Sequence, residues 1–200
     1  MERSNQEARE GTLRAVAEFN RIVTEHNNRQ PANSIPPGPS SIRKNRASTG
    51  RLQNELANFM RDPPDGCRVD VVNDNIFHWR ATIMGPPETP YEGGQFVLNI
   101  IFPMQYPFQA PHVTFSSRIY HCNITNSGHI CLDILNMMWS PALTIDKVLI
   151  SIISLLADPN PDDPADHSTA HLYKHDRKQH DFNAQLWTNR YARPRAEDDN

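Results

Sequence analysis

Two hundred residues with 38% hydrophobic content supply one domain with a single core and a remainder beside it. Net charge is only −3, split between eight Arg/Lys against five Glu over residues 1–49 and twelve against eighteen acids over residues 50–200. Neither part carries the basic stripe of a nucleic-acid binder, and no run reaches the roughly 18 apolar residues that cross a bilayer, so neither nucleic acid nor membrane is an expected partner.

The N-terminus lacks the layout of a secretory signal, and Glu2, Glu7, Glu10, Glu18 and Glu25 are out of place in a mitochondrial presequence. Three cysteines form no disulfide framework, so reduced thiols in the cytoplasm, the nucleus or both are expected. Seventeen prolines against eight glycines favour rigid irregular connections over long uninterrupted helices.

In chain order, Leu13, Val16, Phe19, Ile22 and Val23 repeat at helical spacing over residues 5–26. They lie within an arm (residues 1–46) that otherwise reads as flexible. Residues 27–49 are polar, prolyl and seryl, as in a linker, and a domain is expected over 47–192. It begins with a short helix marked by Leu52, Leu56, Phe59 and Met60 and stopped by Asp62-Pro63-Pro64. Val69 and Val71 alternate with polar residues, and Asn73-Asp74-Asn75 turns the chain into a second strand over 76–84. Further strands are predicted over 95–102 and 112–115, which makes a four-stranded antiparallel meander.

After 116–143, which has little periodicity, a buried helix is expected over 143–157. Its breaker is Asp158-Pro159-Asn160-Pro161-Asp162-Asp163-Pro164. Helices over 165–175 and 177–191 and a polar tail over 193–200 complete an α+β fold.

The aperiodic stretch holds the chemistry. His121, Cys122, His129 and Cys131 invite a metal reading, but zinc sites favour two short paired spacings such as Cys-x-x-Cys, and these offsets are adjacent and alternate. A Cys–His protease pair needs a third group to orient its base, and the sequence nominates none. No metal ligand set is therefore assigned.

Motifs along residues 50–192 resemble those of ubiquitin-conjugating enzymes, in order and without obvious insertion. They are Phe77-His78-Trp79, Pro90-Tyr91-Glu92-Gly93-Gly94, Tyr106-Pro107-Phe108, Tyr120-His121-Cys122-Asn123-Ile124, Gly128-His129-Ile130-Cys131-Leu132-Asp133, Trp139-Ser140-Pro141-Ala142 and the prolyl breaker. The nearest type is the broad-specificity class that works with RING ligases, here with an N-terminal extension.

The resemblance implies that Cys131 carries ubiquitin as a thioester, received from an activating enzyme and passed to a substrate lysine. At a reference pKa near 8.5, about a tenth or less of such a thiol is ionised at neutral pH. Only about one lysine in a thousand is neutral there. By resemblance, Asn123 supplies an amide toward the tetrahedral oxyanion or holds its loop, and His121 belongs to the same motif. Asp163 guides the incoming amine with help from Asp133, although Asp133 and Asp162 also read as solvated loop acids. Phe108, Ser140, Pro141 and Ala142, rimmed by Arg51, form the ligase-docking surface, and Arg51 also faces the activating enzyme. No cofactor is implied, since ATP is used by the activating enzyme. Alternatives are a conjugating enzyme for another ubiquitin-like modifier and an inactive conjugating-like scaffold.

The sequence departs from the family at several places. Cys122 replaces a proline, which frees the backbone before Asn123 and adds a second thiol open to misloading. Gln109, Asn136 and Met138 stand where basic or polar residues are usual, so ligase choice is expected to differ. Arg68 replaces a small residue on the back of the sheet and is expected to impair weak binding of free ubiquitin. The arm has three open roles: holding substrates, restraining ligase choice, or accepting ubiquitin at Lys44, its only lysine. The Tyr106-Pro107 bond is expected to be cis.

Overall fold

In the computed structural model, residues 39–193 are described, with side chains from residue 46 onward. The amphipathic pattern at 5–26, the side chain of Lys44 and the tail beyond 193 lie outside the described residues.

Helix α1 (Pro39–Arg61) lays Leu52, Leu56 and Phe59 into the core and ends at the prolyl pair. It is longer than its sequence signals, because residues 39–46 continue the helix through the serine- and arginine-bearing segment read as linker. Proline at the first position sacrifices only an amide that has no helical partner.

Strands β1 (Cys67–Val71), β2 (His78–Met84), β3 (Gln95–Ile101) and β4 (His112–Phe115) pair in sequence order, all antiparallel. β2 begins two residues later than expected, because Val72–Asp74 forms a 3-10 turn in which Asn73 and Asp74 take positive φ. The period-two pattern sends Trp79, Ala81 and Ile83, then Phe96, Leu98 and Ile100, to one face. The opposite face keeps Arg68 beside Thr82 and remains accessible.

Helix α2 (Ile145–Ala157) crosses the apolar face with Val148, Leu149, Ile152 and Leu156 almost fully buried. Its start, two residues later than expected, follows Thr144. Helices α3 (His167–His175) and α4 (Arg177–Tyr191) finish the chain. Asp166 and Asp176 cap them, accepting from the Thr169 and Gln179 amides. Arg118 stacks over Trp187 and Tyr191, fastening α4 to the segment after β4. The Tyr106-Pro107 bond is cis, as the resemblance implied.

Between β4 and α2 the chain makes a tight hairpin. Gly128 donates to the Thr125 carbonyl, and Thr125 donates to the His129 carbonyl. Gly128 has φ of 84°, and a Cβ there would sit 2.1 Å from the Phe115 carbonyl oxygen. Gly128→Ala is expected to cost at least about 2 kcal/mol through backbone strain and loss of that close approach. Urea unfolding of the variant checks this.

Candidate active site

The hairpin explains why Asn123 and Cys131, eight positions apart, meet. The Cys131 amide donates to the Asn123 carbonyl at 2.8 Å, and Ile124 bridges Ile130 beside them. The Asn123 carboxamide then faces the prolyl breaker. Its Nδ2 donates to the carbonyls of Asn160 (2.7 Å) and Asp163 (3.0 Å), while Oδ1 accepts from the Asn160 amide at 2.8 Å. Both Nδ2 hydrogens are thus committed to the loop in the resting structure. The Cys122 carbonyl adds two bonds, from the amides of Ala165 and Asp166.

This brace sets the Asp163 side chain over the thiol, with Cys131 Sγ 3.7 Å from Asp163 Oδ2. Cys131 is partly exposed. Burial, and then the nearby Asp163 carboxylate, raise its pKa. The resting thiol is therefore mostly protonated at neutral pH.

His121 lies buried behind the site rather than beside the sulfur. Its Nδ1 accepts from the Asn123 amide (3.0 Å), which leaves Nε2 as the donor to the Leu155 carbonyl (3.0 Å). Burial pushes its pKa down from 6.5 to about 4, against a smaller opposing effect of the Leu155 bond. Cys122 is fully buried, with its thiol 3.3 Å from Asn123 Oδ1 and its pKa raised by burial to about 11. The misloading expected of this second thiol has no exposed sulfur to act through.

Asp133 is exposed and accepts from the Ile134 amide at 2.7 Å, which opens the 3-10 turn Asp133–Leu135. Asp162 turns outward and pairs with Lys174 at 2.6 Å. Among the described residues no three His, Cys, Asp or Glu side chains gather as a metal site.

A second surface adjoins the first. Phe108 is 80% exposed, and Ser140, Pro141 and Ala142 are exposed beside the bond from Trp139 Nε1 to the Pro107 carbonyl (2.8 Å). Arg51 does not stand free at the rim. It bonds the carbonyls of Pro141 and Leu143 at 3.0 Å each and pairs with Glu55. Glu55, 7% exposed, also accepts from Tyr106 Oη (2.7 Å) and the Ile145 amide (2.9 Å). One buried carboxylate therefore joins α1, the Phe108 loop and the start of α2. Sequence reasoning passed over Glu55, whose charge gave no sign of burial, and Met137, which is 94% exposed beside Met138 at 64%.

Residues 51–188 match the sequence profile of the family described as ubiquitin-conjugating enzyme. The chain belongs to the ubiquitin-conjugating enzyme family. A solved structure, the E2 domain of a Toxoplasma gondii ubiquitin conjugating enzyme, is 43% identical over 72% of this chain and 98% of that one, with a TM-score of 0.68. The antiparallel sheet and helices have the α+β fold of this family, and the protein is a ubiquitin-conjugating transferase.

Replacing Asp163 by Asn removes a carboxylate that disfavours the thiolate. Iodoacetamide should then alkylate Cys131 roughly two- to tenfold faster at neutral pH. Mass spectrometry of the alkylated peptide reads the change.

For His121, the fold holds the neutral ring while the unfolded chain takes up a proton near pH 6.5. Its contribution is complete above that pH and is lost as pH falls from 6.5 towards about 4, amounting to about 3 kcal/mol. Urea midpoints should fall across that window, and His121→Asn should flatten the slope.

Proposed function

We propose that this chain accepts ubiquitin from an activating enzyme as a Cys131 thioester and, docked on a RING-type ligase, delivers it to a substrate lysine. The observation that carries this reading is a partly exposed thiol 3.7 Å from a carboxylate on a braced loop.

In the first step the Cys131 thiolate attacks the carbonyl carbon of ubiquitin's C-terminal thioester on the activating enzyme. The carbon–sulfur bond to that enzyme's cysteine breaks, and that sulfur leaves as a thiolate that takes a proton from solvent, replacing the one Cys131 released. Bond types made and broken are alike, so exchange is near thermoneutral and needs little activation.

In the second step the lysine amine attacks the Cys131 thioester. Asp163 attracts the incoming ammonium group and orients it. Packing of the acceptor against the loop must desolvate that group, because a carboxylate alone would hold the proton on. The ammonium first gives one proton to solvent. As the carbon–nitrogen bond forms, the nitrogen sheds a second to solvent or to Asp163, and the tetrahedral intermediate expels the Cys131 thiolate, which takes up a proton. An isopeptide and a free thiol result.

Asn123 acts here as a positioning residue, aiming Asp163 through the loop. For it to serve the oxyanion as well, one Nδ2 bond to Asn160 or Asp163 would have to open. Asp133 shapes the turn after the cysteine.

Phe108, Ser140, Pro141 and Ala142 offer the ligase an exposed aromatic anchor between two tied loops, a hot-spot arrangement. Arg51 supports that surface by holding two of its carbonyls, and Met137 and Met138 widen its apolar area. We further propose that Arg68, exposed on β1, weakens free-ubiquitin binding to the back of the sheet. The enzyme needs no cofactor of its own, and its reduced thiols suit the cytoplasm or nucleus.

The test is charging with activating enzyme, ATP and ubiquitin, read on a non-reducing gel. Wild type and Cys122→Ala should give a thiol-sensitive band that Cys131→Ala lacks. Charging in Cys131→Ala would overturn the assignment, and charging only with another modifier would change the cargo. For charged enzyme, Phe108→Ala should slow ligase-stimulated discharge about tenfold or more, as expected for a central anchor.

A further inference from the structure

Helix α3 carries histidines at 167, 171 and 175, one every four residues and all exposed. That spacing stacks them on one face. His171 and His175 are already together, with ring centroids 4.3 Å apart and planes inclined by only 22°.

Two imidazoles on one tetrahedral ion place their centroids about 5 Å apart, given metal–nitrogen distances near 2.0–2.1 Å. Chelation turns the two rings out of this stacked pose until one nitrogen of each converges on the ion. Paired histidines at i and i+4 on one helix face are a recurrent way to hold zinc.

The hydrogen bonding prepares one ligand. His175 Nδ1 lies 2.9 Å from the His171 carbonyl oxygen. A carbonyl only accepts, so Nδ1 carries the hydrogen and Nε2 presents a bare lone pair to solvent. Ligating histidines characteristically donate their other ring N–H to such a carbonyl, which fixes tautomer and ring orientation.

The charge environment also favours a cation. The pair occupies the last turn and a half of α3, where the helix end carries partial negative charge. The Asp176 carboxylate follows directly, and the neighbouring Lys174 ammonium is turned away to Asp162 at 2.6 Å.

We propose that His171 and His175 form a two-histidine chelate for a late first-row divalent ion such as Ni²⁺, Cu²⁺ or Zn²⁺, with water completing its coordination. Imidazole ligands suit this class and not Mg²⁺ or Ca²⁺. The bound ion links two side chains across one helical turn and pins the end of the helix that follows the Asp163 loop. His167 lies one turn back and is not needed.

The test titrates the full chain with Ni²⁺ by calorimetry and by paramagnetic broadening of backbone amide signals, in a Cys67→Ser, Cys131→Ser background that removes both partly exposed thiols as competing ligands. One site is expected, with broadening centred on residues 171–176. His171→Gln and His175→Gln should each weaken it about tenfold or more, since a chelate becomes a single contact. His129→Gln, which alters the His112–His129 pair elsewhere, should leave it unchanged. These α3 side chains are exposed, and circular dichroism verifies that each variant is folded. Broadening centred elsewhere, equal affinity in the α3 variants, or no binding at millimolar Ni²⁺ would overturn the proposal.

Discussion

The surroundings of Cys131 hang on the carboxamide of Asn123. Its three hydrogen bonds to Asn160 and Asp163 join two segments that no regular strand or helix connects. The group is 1% exposed, so an unmade bond there would cost the full desolvation of a polar atom. The loop is therefore held more firmly than its irregular backbone suggests. His121 extends the same device inward, receiving the Asn123 amide on one ring nitrogen and anchoring to α2 with the other. The distance from Cys131 to Asp163 is thus set by the core and not by the loop alone.

A second buried polar group does the corresponding work at the Phe108 end. Glu55 takes hydrogen bonds from α1, the cis-prolyl loop and the first residue of α2. A buried ion pair is not in itself strong evidence of stability. Here its value lies in convergence: the Arg51 and Glu55 side chains together contact the backbone at Pro141, Leu143 and Ile145 and the Tyr106 hydroxyl. The chain running from Cys131 through Trp139 to Ile145 is then fixed at both ends, by Asn123 and by Glu55. Cys131 and the exposed Ser140–Ala142 surface lie on this one stretch, so both are held by the same two buried anchors.

The replacement of proline by Cys122 illustrates how tertiary context changes a local reading. A free φ before Asn123 suggests a loosely aimed amide. In the fold, the Cys122 carbonyl accepts two amides from the Asp163 loop, and its side chain is fully enclosed. Packing and hydrogen bonds supply rigidity that the covalent ring would otherwise give.

By itself the sequence determined most of the elements and the family. Alternation at Val69 and Val71, the strand formers of 76–84 and the nearly all-apolar surface of 143–157 placed the sheet and the central helix, because apolar surface must be buried wherever it occurs. The ordered motifs around Cys131 marked the family. It did not determine that α1 reaches back to Pro39, since polar residues on an exposed helical turn look like linker. Nor could it assign partners to Asn123, His121, Arg51 and Glu55. Each of these bonds to groups brought close only by folding, 34 to 92 residues away in these cases. A side chain's chemistry is local and written in its type. Its role depends on which donors and acceptors surround it, and the tertiary structure alone decides that.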